Sequence, residues 1–196
     1  MDNLIKSIYA GFMIGIGGTI YLSLDNKIIG AFLFSFGLLT IITQNFNLYT
    51  GKVGYENSFK ELGIMIFGNA IGTYIIAFLV QIAKPDLIQS ASLIWSNKLN
   101  LHVSQVASLS LLCGIMMYLA VDNYKKTGHI LFVILPVVIF ILSGYEHSIA
   151  NLFYLFLYGE ISKQMIVFMI ICILGNAVGA RSFHIIKEIN NGSFNN

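Results

Sequence analysis

Residues 143–151 read SGYEHSIAN, and they place a glutamate, a histidine and an asparagine between two strongly apolar segments. Residues 131–142 are apolar at every position, and residues 152–158 carry no charge. Ionisable side chains at membrane depth are costly unless they face a cavity or one another. Ordinary transmembrane helices do not contain such a stretch, whereas a broken helix that lines a solute path does. We therefore predict that this stretch interrupts a transmembrane helix and lies on a solute pathway.

The composition indicates an integral membrane protein. The 196 residues are 57% hydrophobic and 10% charged, whereas soluble proteins average about 25% charged residues. A formal net charge of +2 does not indicate a nucleic-acid-binding surface. No His, Cys, Asp and Glu spacing suggests a metal site, and no nucleophile–base pair or cofactor motif is recognisable. We therefore expect no enzyme, no cofactor, and the lipid bilayer as the surroundings.

Apolar runs predict six transmembrane helices, at 8–24, 28–42, 62–83, 106–121, 129–158 and 165–186. The second run meets a polar stretch, TQNFNLYTG, at 43–51. A helix of about 15 residues covers only about 22 Å of a hydrocarbon core about 30 Å thick. The polar stretch should therefore still lie inside the membrane, which predicts a second broken helix.

Two motifs occur once in each half of the chain. GNAIG at 68–72 matches GNAVG at 175–179, and NLY at 47–49 matches NLF at 151–153. Because each half holds an odd number of spans, the second copy must enter the membrane upside down. The predicted fold is a single all-α, aquaporin-like domain over 1–196, with inverted three-helix repeats at about 1–84 and 106–188. The linker, 85–105, is expected at the membrane surface with Trp95 at headgroup level.

The distribution of basic residues predicts the orientation. One side of the membrane would hold Lys6, Lys52, Lys60, Lys125, Lys126, Arg181 and Lys187, and the other Lys27, Lys84, Lys98 and Lys163. Since the cytoplasmic side usually carries the excess of lysine and arginine, both termini are expected in the cytoplasm of a cell-membrane protein.

The octet GYEHSIAN at 144–151 resembles the G-[FY]-E-H-S-[IV]-A-N signature of the formate–nitrite transporter family of pentameric anion channels. AGFMIGIGG at 10–18, LYTG at 48–51 and the paired glycine–asparagine motifs support this resemblance. It implies a homopentamer in which each protomer has its own pore for a small monovalent anion. The positions that it implies for the solute pathway are His147 at the centre, Thr50 in the gating loop, Phe140 and Leu48 at constrictions, Asn151 near His147, and Tyr49 beside Leu48.

One position departs from the family pattern. Counting back from Leu135 and Pro136, the resemblance places a vestibule lysine at the position that His129 occupies here. If His129 attracts anions, it can do so only in mildly acidic surroundings, where a histidine side chain is charged. We therefore expect His129 to make uptake depend on pH.

The residues leave two anion mechanisms open. The N-termini of half-helices could stabilise an anion, or His147 could pass a proton to it so that a neutral acid crosses. Glu146, Asn69 and Asn176 are expected to have structural roles. Two other functions also stay open, an aquaporin-like pore for small neutral solutes and a membrane scaffold without transport.

Overall fold

The computed structural model describes residues 2–190 and 192, which form helices joined by short turns and contain no strand. The helices are α1 (Asp2–Ser23), α2 (Lys27–Thr43), α3 (Tyr49–Lys52), α4 (Phe59–Ala83), α5 (Asp86–Leu99), α6 (Val103–Thr127), α7 (Leu131–Leu142), α8 (Ser148–Tyr158) and α9 (Lys163–Asn190). The prediction of an all-α membrane protein is confirmed. Within the described part of the chain, four helices, α1, α4, α6 and α9, are long and apolar enough to cross a membrane, and α2, α7 and α8 are shorter apolar helices.

The helix boundaries follow local capping signals. The Asn26 side chain accepts the backbone N–H groups of Ile28 and Ile29 at the start of α2. Since the first N–H groups of a helix have no partner within the helix, such a side chain stabilises the start. Gly128 ends α6 and Gly159 ends α8, each in the left-handed conformation that glycine adopts without strain.

Glycines allow two helix pairs, α1 with α4 and α6 with α9, to approach to backbone contact. A Cβ at Gly72 would lie 2.1 Å from the carbonyl oxygen of Ile8, and one at Gly179 would lie 2.0 Å from that of Leu111. No other residue fits at such a distance, which is the small-residue packing typical of membrane helices. The same close contact therefore occurs once in each half of the chain.

The two predicted polar interruptions lie between helices. Residues 44–48 separate α2 from α3, and residues 143–147 separate α7 from α8. Each connection contains a residue with positive φ, Asn45 at 54° and Gly144 at 66°. Asparagine and glycine tolerate this conformation better than other residues. Both connections can therefore turn sharply without much backbone strain.

The linker is largely helical. It contains α5, which packs against α8, and Trp95 on this helix is only 1% exposed. The Trp95 ring meets Phe168 of α9 edge to face, with 5.4 Å between ring centroids. Trp95 is therefore buried inside the protein, because α5 packs with its apolar face inward, and its placement at headgroup level stays a prediction.

Candidate functional site

The Asn69 side chain connects the start of α3 to α1. Its Oδ1 atom accepts the backbone N–H of Tyr49 at 2.9 Å. Its Nδ2 group donates to the carbonyl oxygens of Ser7 at 2.7 Å and Asn47 at 2.9 Å. The side chain is fully buried, so its polar atoms must be satisfied within the protein. Asn69 thereby fixes where α3 begins.

Asn176 makes the same set of contacts at the start of α8. Its Oδ1 atom accepts the N–H of Ser148 at 2.9 Å, and its Nδ2 group donates to the carbonyl oxygens of Ser110 and Glu146, both at 2.8 Å. The predicted structural role of both asparagines is confirmed, since each bonds across helices.

These matched bonds define which residues correspond between the two halves. Asn47 takes the place of Glu146 and Tyr49 that of Ser148, so Leu48 corresponds to His147. The predicted match between NLY at 47–49 and NLF at 151–153 is therefore wrong. Asn47 lies two residues before the start of α3, whereas Asn151 lies inside α8.

His147 links α8 to α3. Its Nδ1 atom accepts the backbone N–H of Ala150 at 3.0 Å, and its Nε2 atom lies 2.9 Å from Oγ1 of Thr50. Because Nδ1 accepts a hydrogen bond, the network assigns the proton of the neutral ring to Nε2, which then donates to Thr50. The Thr50 hydroxyl keeps its own hydrogen available for another acceptor.

Apolar side chains surround this contact. The Phe140 ring stacks on His147 with 5.4 Å between centroids, and it meets Phe34 edge to face at 6.1 Å. Leu38 lies one helical turn beyond Phe34 on α2, and Leu48 precedes α3. All four apolar side chains are at most 3% exposed.

Two cavities border these residues. The first has a volume of about 230 Å³, and its lining includes Phe34, Phe140 and His147. The second, of about 40 Å³, is lined in part by Leu38 and Leu48. The apolar side chains thus form a constriction next to the contact between Thr50 and His147.

An ion pair lies in the wall of the first cavity. The Lys98 ammonium contacts the Glu146 carboxylate, which also accepts the Nδ2 group of Asn151 at 2.8 Å. The two charged side chains are 16% and 3% exposed. A charge pair this well buried depends on such additional hydrogen bonds. The predicted structural role of Glu146 thus takes the form of a link between α5 and α8.

Lys98 and Phe34 are among the lining residues that sequence reasoning missed. Lys98 reaches the cavity only because α5 packs on α8, and no local pattern indicates that contact. Phe34 lies on a helix that is apolar nearly all round, so periodicity does not reveal which face lines a cavity. Leu38 lies four residues on and shares the face of Phe34, but sequence reasoning did not identify it either, so this spacing gave no signal.

The structure brings together five of the predicted pathway residues. His147, Phe140 and Asn151 line the first cavity, Leu48 lines the second, and Thr50 contacts His147. Tyr49 points away from both cavities, and its hydroxyl donates to the carbonyl oxygen of Ile173 at 3.1 Å. His129 is exposed in the turn between α6 and α7 and lines neither cavity.

Comparison with known proteins identifies the family. The family model described as formate/nitrite transporter matches residues 1–187. The chain belongs to the formate/nitrite transporter family. This confirms the resemblance read from GYEHSIAN, and together with the long apolar helices it makes the chain a multi-pass membrane protein.

Members of the formate/nitrite transporter family with curated functions are distant in sequence. The chain is 26% identical to a formate–nitrite transporter of Plasmodium falciparum, over 78% of this chain and 63% of that protein. It is 24% identical to the formate channel FocB of Escherichia coli, over 76% of this chain and 64% of that protein. The matches thus span somewhat less than two thirds of these relatives.

A solved structure of a formate channel has the same fold. It is described as a pentameric formate channel with formate bound, and it superposes with a TM-score of 0.82 over 93% of both chains at 24% identity. A second structure, described as an FNT family ion channel, superposes with a TM-score of 0.71 at 21% identity.

Proposed function

We propose that this protein is a channel or transporter for small monovalent anions of weak acids, such as formate, nitrite or hydrosulfide. The observation that carries the proposal is the Thr50–His147 hydrogen bond, enclosed by apolar side chains next to the two cavities. A single polar contact in an apolar constriction suits a small solute with one charged group. The printed functions of the relatives, formate channel and formate–nitrite transporter, support this class of substrate.

The proposed architecture has six spans as two inverted three-helix repeats. In it, α2 with α3 and α7 with α8 each form one interrupted span, and both termini lie in the cytoplasm. The matched hydrogen bonds of Asn69 and Asn176 support the repeat. The proposed assembly is a homopentamer with one pore in each protomer, in keeping with the pentameric description of the superposed structure.

An anion in this pathway needs compensation for lost hydration. Moving an isolated charge into a low-dielectric medium costs on the order of tens of kcal/mol. The N-terminus of α8 directs its positive dipole end towards His147, its N-cap residue. The free hydrogen of Thr50 adds a donor at the same place. Lys98 contributes less, because Glu146 neutralises it.

The geometry favours stabilisation by these donors over a proton relay through His147. To carry a second proton, the ring would need one on Nδ1, which now accepts the Ala150 N–H. That proton would remove the N-cap bond of α8, and loss of such a cap costs about 1 kcal/mol. In the neutral form the ring can donate from Nε2 but has no acidic proton to give away. We therefore propose that His147 acts as a neutral hydrogen-bond donor.

Flux measurements in liposomes test this function. The purified protein should conduct formate or nitrite, and His147→Phe should abolish or invert that selectivity while still inserting into the membrane. Lys60→Gln, a change at an exposed position outside both cavities, should behave as the wild type. Permeation of glycerol or water without anion flux would support the aquaporin-like alternative. Absence of any flux would instead indicate a scaffold.

A further inference from the structure

A large apolar groove lies between α4 and α9, away from both cavities. Its volume is about 750 Å³, and its walls include Leu62 and Ile66 of α4 and Leu174 of α9. Tyr49 of α3 and Val53, the residue that follows α3, also line this groove. The groove therefore contacts the segment that carries Thr50 on the side away from His147.

A single arginine lies among the residues that line the groove. Arg181, the only arginine in the chain, donates to the Asn57 side chain and the backbone carbonyl of Glu56. Within the described residues 2–190 and 192, no carboxylate lies within ion-pair distance of Arg181. Its two partners are neutral, and a guanidinium group has five N–H donors. Positive charge and donors thus remain available for an anionic group.

The groove has the form of a site for an amphiphile. Ile173 and Arg181 both line it and lie eight residues apart on α9, which corresponds to about 12 Å along the helix. The wall between them includes Leu174, Ala177 and Val178, which are all apolar. An elongated apolar chain with an anionic group at one end matches this arrangement of an apolar wall and a guanidinium group.

We propose that the groove binds an acyl chain of an anionic phospholipid, with the lipid phosphate on Arg181. Basic pockets between transmembrane helices on the cytoplasmic side bind anionic lipid headgroups. Arginine suits a phosphate because its planar donors can bind two oxygens at once. The apolar wall excludes a free inorganic phosphate as the main ligand, since most of the groove would then stay unfilled.

Lipid binding in this groove would act on the pore through Tyr49. The Tyr49 hydroxyl donates to the carbonyl oxygen of Ile173, so this side chain connects α3 to a wall of the groove. A bound acyl chain would pack against Tyr49 and hold α3, and with it Thr50, in place. This effect on flux rests on the proposed function, whereas lipid binding itself does not.

Native mass spectrometry of the intact assembly tests the site, with phosphatidylglycerol as the anionic probe and phosphatidylcholine as the neutral one. Arg181→Gln should weaken phosphatidylglycerol binding about fivefold, the effect expected for one basic residue near a headgroup. Lys60→Gln removes a cation at the start of α4 that does not line the groove, and it should leave binding unchanged. Arg181→Lys should restore part of the preference for the anionic lipid.

A second variant fills the groove. Gly63 lines it, and a Cβ at this position would meet no atom within 4 Å. Gly63→Leu should therefore displace both lipids, while the better helix propensity of leucine keeps the thermal stability at least equal to that of the wild type.

Two results would overturn the proposal. Equal losses in Arg181→Gln and Lys60→Gln would show that general surface charge binds the lipid. A Gly63→Leu variant that keeps its lipids but changes its oligomeric mass would show that a second copy of the chain occupies the groove. Preferential binding of phosphatidylglycerol by a wild-type protein that shows no anion flux would instead count against the proposed function alone.

Discussion

Thr50→Val tests the proposed role of the hydroxyl group most directly. Valine has the same branched shape as threonine, but it replaces the hydroxyl group with a methyl group. Thr50 is 1% exposed, and its oxygen atom lies 2.9 Å from Nε2 of His147. The change therefore removes both the acceptor for His147 and the donor that we assign to the anion.

The size of the effect follows from these two losses. A hydrogen bond to a charged group contributes about 1.5–3 kcal/mol, which corresponds to a change of about 10- to 150-fold. In the variant, however, the Nε2–H group of His147 loses its partner and can donate to the anion itself. This offsets part of the loss, so we expect anion flux to fall by about tenfold, at the lower end of that range.

Stopped-flow uptake of formate into proteoliposomes measures this change. Thr50→Ser keeps the hydroxyl group and serves as the matched control, with an expected flux close to that of the wild type. Equal amounts of inserted protein and equal oligomeric mass would exclude a folding defect. A Thr50→Val protein that transports as fast as Thr50→Ser would refute the proposed role of the hydroxyl group.

Three further tests address other parts of the structure. Asn176→Ala should lower the free energy of unfolding by about 3 kcal/mol, because it removes three buried hydrogen bonds worth about 1 kcal/mol each; an unchanged melting temperature would contradict this. Lys98→Met and Glu146→Gln should each destabilise the protein more than the double variant that carries both changes. Each single change leaves a buried group without its partner, whereas the double variant removes both groups. Additive effects on the melting temperature would show that the pair is not coupled. His129→Lys should flatten a rise of uptake at acidic pH if His129 attracts anions, whereas identical pH–flux curves would show that it does not.

The sequence by itself predicted the class of fold and the position of the site. The long apolar runs indicate membrane helices because the bilayer demands them, and the polar stretch at 143–151 is conspicuous because its flanks are apolar. The structural roles expected of Asn69 and Asn176 agree with the hydrogen bonds that each makes to another helix. These conclusions depend on neighbouring residues alone, so they could be drawn without a structure.

Only the tertiary structure decided which side chains meet. Lys98 approaches Glu146 because α5 folds back onto α8, and Tyr49 points to the groove although its neighbour Thr50 faces His147. The correspondence of Leu48 with His147 likewise depends on where the buried asparagines fix the start of α3 and α8. Such contacts join residues far apart in the chain, and they depend on how whole helices pack rather than on any local pattern.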